Sequence, residues 1–171
     1  VINVGDAGTA WSGGENWTDE DVLTEVRKFV YNGGGFIGVG EPTAHLRNGK
    51  FFQLSDVLGV DKELGISLGE DKYNINKNGE HFILDGIESP VDYGEDKKNI
   101  FALDGTNVVD IVFSNRFTRK VNVGEVKMAT NNYGKGRSFY ITGLPYSAQN
   151  AKLLYRAILW TAGKEDMDKK S

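Results

Sequence analysis

The sequence contains no cysteine in its 171 residues. This absence excludes disulfide bonds, thiolate metal ligands and a thiol nucleophile. Histidine is scarce as well, since only His45 and His81 are present, and two histidines so far apart do not predict a metal cluster. We therefore expect neither a metal site nor thiol chemistry in this chain.

Long apolar runs and clusters of basic residues are also missing. No run approaches the roughly 20 apolar residues of a membrane-spanning helix, and the first residues lack the pattern of a secretory signal. The net charge is −4, whereas a protein that binds a nucleic-acid backbone needs clustered Lys and Arg. We expect a cytoplasmic protein that binds neither membranes nor nucleic acids.

The remaining composition fits one globular domain with its own core. The hydrophobic share is 39% and the aromatic share 11%, which are ordinary values for a folded chain of this length. The sequence opens without Met, directly in the strand-like run "VINVG", so we expect a domain excised from a larger chain. Residues 1–163 are predicted to form the domain, and residues 164–171 a charged tail or linker.

The first 40 residues predict a strand, a helix and a second strand. The helix lies in "WTDEDVLTEVRKFVYNGGG", where Thr18 can cap its start and Gly33 follows its end. Its buried face is predicted from apolar residues at helical spacing: Val22, Val26, Phe29 and Val30. The continuous apolar run "FIGVG" is typical of a parallel strand covered on both faces.

Further elements follow along the chain. "KFFQLSDVLGV" predicts a short helix ended by Gly59, whereas residues 61–105 read as an irregular insertion with strand-like pieces at 73–75 and 81–84. "NVVDIVFSN" and "VKMATNNYGKGRSFYITGL" predict strands, and the glycine-containing "NNYGKGRS" is predicted to be a hairpin turn. The last helix, within "SAQNAKLLYRAILWTAG", is predicted to be capped by Ser147 and ended by Gly163. Its predicted apolar stripe consists of Leu153, Leu154, Ala157, Ile158 and Thr161.

These alternating elements predict an α/β fold with three layers, a mostly parallel sheet with helices on both faces. In such folds ligands bind at the carboxyl ends of the strands, where the strand order reverses. The opening loop "GDAGTAWSGGENW" and the segment "GEPTAH" both lie at predicted strand ends. They are therefore the candidate functional segments.

The opening loop admits three interpretations. Its glycines could free backbone amides for a phosphate, although the spacing matches neither nucleotide-binding glycine motif. Trp11 and Trp17 could instead stack on a sugar ring while Asp6, Glu15 and Asn16 bond its hydroxyls. In the third interpretation the loop packs against a neighbouring domain.

The segment "GEPTAH" stands where related α/β enzymes keep a nucleophile, on the turn between a strand and a helix. Here the turn offers Gly40, Glu41 and Pro42, none of which is such a nucleophile. Glu41 could bind a substrate hydroxyl, and with Asp6 it could form the carboxylate pair of a glycosidase. His45 is the better site candidate of the two histidines, and a structural role is open for both His45 and Glu41.

Three stretches resemble a known family. They are "INVGDAGTAWSGGENW", "GGGFIGVGEPTAHLRNGKFFQLSDVLGVDKE" and "GLPYSAQNAKLLYRAILWTAGKED". Together they resemble the central α/β part of the 1,3-β-galactosyl-N-acetylhexosamine phosphorylases of glycoside hydrolase family 112, to which lacto-N-biose phosphorylase and galactosyl-rhamnose phosphorylase belong. The resemblance covers nearly the whole chain, although residues 65–107 add little to it.

The resemblance implies a parent enzyme in which inorganic phosphate, the co-substrate, attacks a β-galactoside and yields α-galactose 1-phosphate with inversion. It implies a TIM-barrel domain of the same chain that carries the catalytic acid, a small-molecule sugar substrate, and no organic or metal cofactor. The segment itself would have a glutamine amidotransferase-like, or flavodoxin-like, fold and no catalytic residue. A homodimer of the parent is left open.

From this resemblance we expect the opening loop and the Glu41 turn to face the barrel and shape its active-site mouth. The candidate substrate-binding or domain-interface residues are Asp6, Trp11, Glu15, Trp17, Glu41 and His45. Two alternatives stay open from the residues alone. One is a free-standing carbohydrate-binding module of amidotransferase-like fold, and the other is a flavodoxin-like domain that binds a nucleotide or flavin.

Overall fold

The computed structural model describes residues 1–47, 49–63, 80–88, 90–94, 98–115 and 122–170. Within these residues the helices are Glu20–Tyr31 (α1), Ser55–Leu58 (α2) and Ala148–Thr161 (α3). The strands are Ile2–Gly5 (β1), Gly35–Gly40 (β2), Ala44–Arg47 (β3), Lys50–Phe52 (β4), Val60–Lys62 (β5), Ile100–Ala102 (β6), Asn107–Asn115 (β7), Asn122–Tyr133 (β8) and Gly136–Ile141 (β9). No helix among the described residues is both long and apolar enough to cross a membrane.

The main sheet has five strands in the order β1-β2-β9-β8-β7. Strands β1, β2 and β9 run parallel, with Ile2 opposite Ile37, whereas β9–β8 and β8–β7 are antiparallel pairs. The sheet is thus mixed rather than mostly parallel. The reason is the predicted hairpin turn, where Gly134 has φ 61° and the chain reverses between Tyr133 and Gly136.

The two faces of the main sheet carry separate cores. Phe36 and Tyr140 pack on one face with Leu23 and Val30 of α1. Neighbouring strand residues point to the opposite face because side chains alternate along a strand. There Ile37, Phe139 and Ile141 pack with Leu153 and Ala157 of α3, so α1 and α3 lie on opposite sides of the sheet.

The residue that caps helix α1 is Asp19, one position after the predicted Thr18. Asp19 accepts hydrogen bonds from the amides of Asp21 and Val22, whereas the Thr18 hydroxyl donates to the Glu15 carbonyl instead. The predicted buried face is also partly wrong. Leu23 and Val30 are buried and Val26 packs against them, whereas Val22 is 36% and Phe29 49% exposed.

Helix α3 confirms both predicted ends. The Ser147 hydroxyl accepts from the Asn150 amide at 3.0 Å, and Gly163 follows the helix with φ 66°. Leu153, Ala157 and Thr161 of the predicted stripe are buried, Leu154 is partly buried, and Ile158 is 40% exposed.

The two ends of the predicted insertion pair with each other as strands. Gly59 ends α2 with φ 76° as expected, and β5 then pairs with β6 from the far side of the segment. Residues 81–84 do not form a strand, because the His81 ring nitrogen accepts from the Ile83 amide and begins a 3₁₀ turn at Phe82–Leu84. The predicted piece at 73–75 lies outside the described residues.

The charged tail also contacts the domain. Glu165–Lys170 form a 3₁₀ segment, Glu165 pairs with Arg137, and Asp168 pairs with Arg156 at 2.8 Å. These contacts hold the end of the chain beside β9 and α3.

Candidate functional site

The carboxyl ends of the three parallel strands converge on one cavity. Strand β1 leads into the opening loop, β2 into the Glu41 turn, and β9 into Thr142 and Gly143. A cavity of about 220 Å³ lies between these turns and the segment around Tyr93. It is lined by Gly5, Asp6, Val39, Gly40, Tyr93, Gly94, Lys98, Thr142 and Gly143. Ligands bind at this place in α/β sheets, so this edge is the candidate site.

Asp6 supplies a carboxylate at the cavity rim. Its side chain is 60% exposed, and one oxygen lies 2.6 Å from the ammonium of Lys98, whose side chain is only 11% exposed. The Glu125 carboxylate accepts from the amides of Lys98 and Asn99 at 2.7 and 3.0 Å. Glu125 therefore holds the segment that carries the lysine, and the rim presents both a hydrogen-bond acceptor and a donor.

Tyr93 forms part of the cavity wall. Its hydroxyl donates to the carboxylate of Asp110. Burial, together with this hydrogen bond to a carboxylate, raises the pKa of Tyr93 above its usual value of 10.0. The phenol therefore stays neutral, and its proton is committed to Asp110 rather than directed at a ligand.

Glu41 is buried at the end of β2 rather than exposed to substrate. Only 6% of the residue is accessible. One carboxylate oxygen accepts from the Ala7 amide at 2.8 Å, and the other pairs with the Lys62 ammonium. Glu41 therefore joins the opening loop to β5, and a glycosidase-like pair with Asp6 would require this buried carboxylate to leave both partners.

Asn3 fixes the two candidate loops against each other. It points inward from β1, is 9% exposed, donates to the Ser12 carbonyl at 3.1 Å and accepts from the Thr43 amide at 2.7 Å. Thr43 has φ 52°, a conformation that is unfavourable for a β-branched residue and costs on the order of 1–3 kcal/mol. The Thr43 hydroxyl accepts from Leu54 at 3.2 Å, which helps to hold this turn.

The chain after Thr43 does not enter a helix. Strands β3 and β4 form a small antiparallel sheet, and α2 follows only at Ser55. The prediction of a turn between a strand and a helix at Glu41 is therefore wrong. The apolar run before it ends in a β-hairpin because the next residues pair with Lys50–Phe52.

The two tryptophans of the opening loop have different environments. Trp17 is buried, with 7% exposed, and its indole N–H donates to the Ser12 carbonyl. A Cβ at Gly13 would lie 2.7 Å from the indole nitrogen of Trp17, so this glycine admits the ring into its own loop. Trp17 thus packs within its own loop, whereas Trp11 is 81% exposed.

His45 and Glu15 lie beside this loop. The His45 ring nitrogen Nε2 is 3.5 Å from the Glu15 carboxylate, whose side chain is 88% exposed. The other ring nitrogen of His45 is buried and has no hydrogen-bond partner among the described residues. The structure places both residues on the β3 side of the loop, and neither lines the cavity.

The groups at the cavity rim favour a neutral polar ligand over a phosphate. No group of three or more histidine or carboxylate residues could hold a metal ion within the described part of the chain. The Asp6 carboxylate at the rim would repel a phosphate close to it, whereas a neutral hydroxyl can bond both Asp6 and Lys98. Sequence reasoning identified Asp6 but not Asn3, Lys62 or Lys98. Only Asn3 gave a signal, as a polar residue between Ile2 and Val4.

Comparisons with known proteins identify the chain's relatives. A 1,3-β-galactosyl-N-acetylhexosamine phosphorylase of Lachnoclostridium phytofermentans is 47% identical over 166 residues, which cover 97% of this chain and 22% of that protein. The phosphorylase of the same name from Bifidobacterium longum subsp. longum is 38% identical over 191 residues, covering 97% and 25%. A D-galactosyl-β-1→4-L-rhamnose phosphorylase of L. phytofermentans is 32% identical, covering 96% and 21%.

The chain spans between about a fifth and a quarter of the length of these curated relatives. Among solved structures, the GH42 β-galactosidase Gan42B aligns with a TM-score of 0.44 and 17% identity over 88% of this chain and 20% of that one, a similarity too weak to define the fold. The family described as lacto-N-biose phosphorylase central domain matches residues 1–166. The chain therefore belongs to the family of lacto-N-biose phosphorylase central domains.

Proposed function

We propose that this chain is the non-catalytic central domain of a phosphorylase that cleaves β-1,3-galactosyl-N-acetylhexosamines or related β-galactosides. The observation that supports this proposal most directly is the family match over residues 1–166. The relatives named as phosphorylases are, in addition, several times longer than this chain. The remainder of the parent chain, including a TIM-barrel domain, would contain the catalytic acid. We also propose an amidotransferase-like fold class, a cytoplasmic location and no cofactor besides the co-substrate phosphate.

The proposed reaction is a single displacement. A phosphate oxygen attacks the anomeric carbon of the galactosyl unit, the glycosidic C–O bond breaks, and an acid protonates the departing sugar oxygen. Phosphate thus occupies the role that water has in an inverting hydrolase, and the products are α-galactose 1-phosphate and the free acceptor sugar. We assign no step of this chemistry to a residue of the present chain.

The proposed role of the domain is to shape the mouth of the barrel's active site. Trp11 supports this role because it is 81% exposed. A large aromatic ring in this position leaves much apolar surface in contact with water unless another part of the protein covers it. Asn3, Glu41 and Trp17 support it indirectly, since their buried hydrogen bonds fix the loop that carries Trp11. Asp6 and Lys98 then present polar groups on the same edge.

An assay of the full-length protein tests the reaction. We expect phosphate-dependent cleavage of galactosyl-β-1,3-N-acetylglucosamine, galactosyl-β-1,3-N-acetylgalactosamine or galactosyl-rhamnose, with NMR showing the α anomer of galactose 1-phosphate. The choice among the three substrates identifies the acceptor. Cleavage that proceeds equally without phosphate, or a β-configured product, would contradict the proposal.

Substitution of Trp11 tests the role of the loop. In the full-length enzyme, Trp11→Ala should lower kcat/KM by at least about fivefold, since losing one useful contact costs about 1 kcal/mol. Tyr155→Ala is the matched control, because Tyr155 is a 44% exposed aromatic residue on α3, away from the cavity. Equal kinetics for Trp11→Ala, Tyr155→Ala and the unmodified enzyme would reject the placement of Trp11.

A further inference from the structure

Strand β1 forms one edge of the main sheet, and no strand among the residues that the structure describes pairs with its outer side. Val1 donates to the Gly35 carbonyl and accepts from the Ile37 amide, and the Gly5 carbonyl accepts from Glu41. In a parallel ladder, the N–H and C=O of one residue point to the same side, and successive residues alternate. The backbone groups of Ile2 and Val4 therefore point away from β2, toward the open edge.

The side chains on this edge are apolar and exposed. Ile2 is 53% and Val4 42% exposed, although Ile2 lies beside Ile37, which α3 buries on the same face of the sheet. An open groove of about 270 Å³ runs from Ile2 to Phe29 of α1 and Ile158 of α3. None of the described side chains that line it is charged.

These features are unusual for an edge strand that faces water. Exposed edges are ordinarily protected by charged side chains, proline or bulges, because unpaired backbone groups pair readily with other strands. Parallel strands, moreover, are ordinarily buried on both faces. The four residues of β1 contain no charged residue and no proline, so the composition of β1 is that of an interior strand.

We propose that β1 is an interior strand of a larger sheet and that an apolar strand, supplied by the part of the full-length chain outside residues 1–171, pairs with its open edge. This inference rests on the proposed function in one respect, namely that the chain is a domain of a longer protein. The relatives are long enough to supply the strand, since the chain covers 22% of two of them. A parallel partner needs a crossover connection of about a dozen residues or more.

A second copy of the domain is the competing occupant. Two copies related by a twofold axis would place their β1 strands antiparallel, and a strand of four residues would give few hydrogen bonds between them. A parallel strand from the same chain extends the existing β1-β2-β9 order and covers the apolar side chains at the same time. The intramolecular strand therefore fits the groove better.

Amide hydrogen exchange in the full-length protein tests the pairing directly. The amides of Ile2 and Val4 should exchange at least about 100-fold more slowly than in an unstructured chain, because a paired amide exchanges only on opening. Exchange within about tenfold of the unstructured rate would overturn the proposal. Protection that disappears when the protein dissociates into monomers on dilution would assign the edge to a second copy and would also overturn it.

Paired lysine substitutions provide a second readout. Val4→Lys in the full-length protein should lower the Tm of the transition of this domain by about 4 °C or more, because the side chain at position 4 would pack beside the apolar side chains of the added strand. Val112→Lys is the control, since Val112 is 45% exposed on β7, at the opposite edge. A Tm change for Val4→Lys no larger than that for Val112→Lys would contradict the proposal.

Activity measured on the same preparation separates this inference from the proposed function. An active phosphorylase with rapidly exchanging Ile2 and Val4 amides would overturn the inference alone. An inactive protein with protected amides would overturn the proposed function alone.

Discussion

At the scale of single residues, the carboxyl edge divides into groups that hold the loops and groups that face outward. Asn3 and Glu41 are buried, and each makes two bonds between segments that are distant in the sequence. Asp6 and Trp11 are exposed on the same edge. Loss of a buried residue should therefore change folding first, whereas loss of an exposed residue should change function first.

Glu41 provides a test of this division. Glu41→Ala should lower the free energy of unfolding by about 2 kcal/mol, because the Ala7 amide and the Lys62 ammonium each lose a charge-assisted hydrogen bond. Glu41→Gln should recover about half of that loss, because its amide oxygen can still accept from Ala7. Urea denaturation measures both changes.

The control for Glu41 is an exposed ion pair. Glu25 pairs with Lys28 on α1, and their side chains are 70% and 62% exposed, so Glu25→Gln should change stability by less than about 0.5 kcal/mol. If Glu41→Ala were as mild as Glu25→Gln, the buried bridge to β5 would have no structural importance.

Residue environments were predicted less well than residue types. The sequence singled out Glu41 and Trp17, but their roles depend on partners that no local pattern reveals. Lys62 lies 21 positions after Glu41. The indole of Trp17 can pack against Gly13 because this residue lacks a Cβ. The sequence does not distinguish a glycine that contacts a ring of its own loop from a glycine that contacts a neighbouring domain.

At the scale of elements, prediction succeeded where local signals agree with the tertiary contacts. Helix α3 and the β8–β9 hairpin have caps, turns and periodicity that all indicate the same structure. Helix α1 was found, but its buried face was not. Val22 and Phe29 match the helical spacing, whereas Leu23 faces the core, because the direction of the helix relative to the sheet is set by packing rather than by period.

The 3₁₀ turn at Phe82–Leu84 predicts a pH dependence of stability. His81 caps this turn with its ring nitrogen. Its ring packs edge-on against the Trp160 ring, and the two ring centroids are 5.0 Å apart. Burial lowers the pKa of His81 below its usual value of 6.5, and Arg137 lowers it further, against Asp85 and Glu165. The folded state thus favours the neutral ring. The contribution of His81 to the stability of the fold is therefore fully present above pH 6.5 and is lost as the pH falls below that value.

Denaturation at about pH 7.5 and about pH 5.5 measures this effect. The unmodified protein should lose stability between the two values, and His81→Asn, which keeps a capping acceptor but does not titrate, should lose less. His45→Asn is the matched control because it removes the other histidine. An equal loss in all three proteins would mean that other groups cause the pH dependence.

At the scale of the whole molecule, two surfaces expose apolar groups that another part of a larger protein could cover, namely the carboxyl edge of the sheet and the open edge of β1. The carboxyl edge combines an exposed aromatic ring with polar groups around a cavity, as expected for a surface that meets both a domain and a ligand. The open edge of β1 is apolar and continuous with a groove, as expected for the interior of a sheet. The first surface should therefore be wetter than the second in the full-length protein.

Fluorescence quenching tests whether the carboxyl edge is covered. Trp11 is 81% exposed in this domain, while Trp17 is buried. If a neighbouring domain covers the opening loop, iodide should quench the full-length protein and its Trp11→Phe variant to the same extent. A quenchable fraction that falls on substitution would show that Trp11 still faces water, and Trp17→Phe serves as the buried control.

The cavity wall contains one contact whose effect extends to the whole site. A Cβ placed on Gly143 would lie 2.0 Å from the Tyr93 carbonyl oxygen, so two lengths of main chain touch there with no side chain between them. The width of the cavity opening is consequently set by the main chain, whereas the groups that would select a ligand are side chains. Substitutions at Asp6 or Lys98 can therefore change the chemistry of the opening without changing its width. Any residue larger than glycine at position 143 would push the Tyr93 main chain away and widen the cavity.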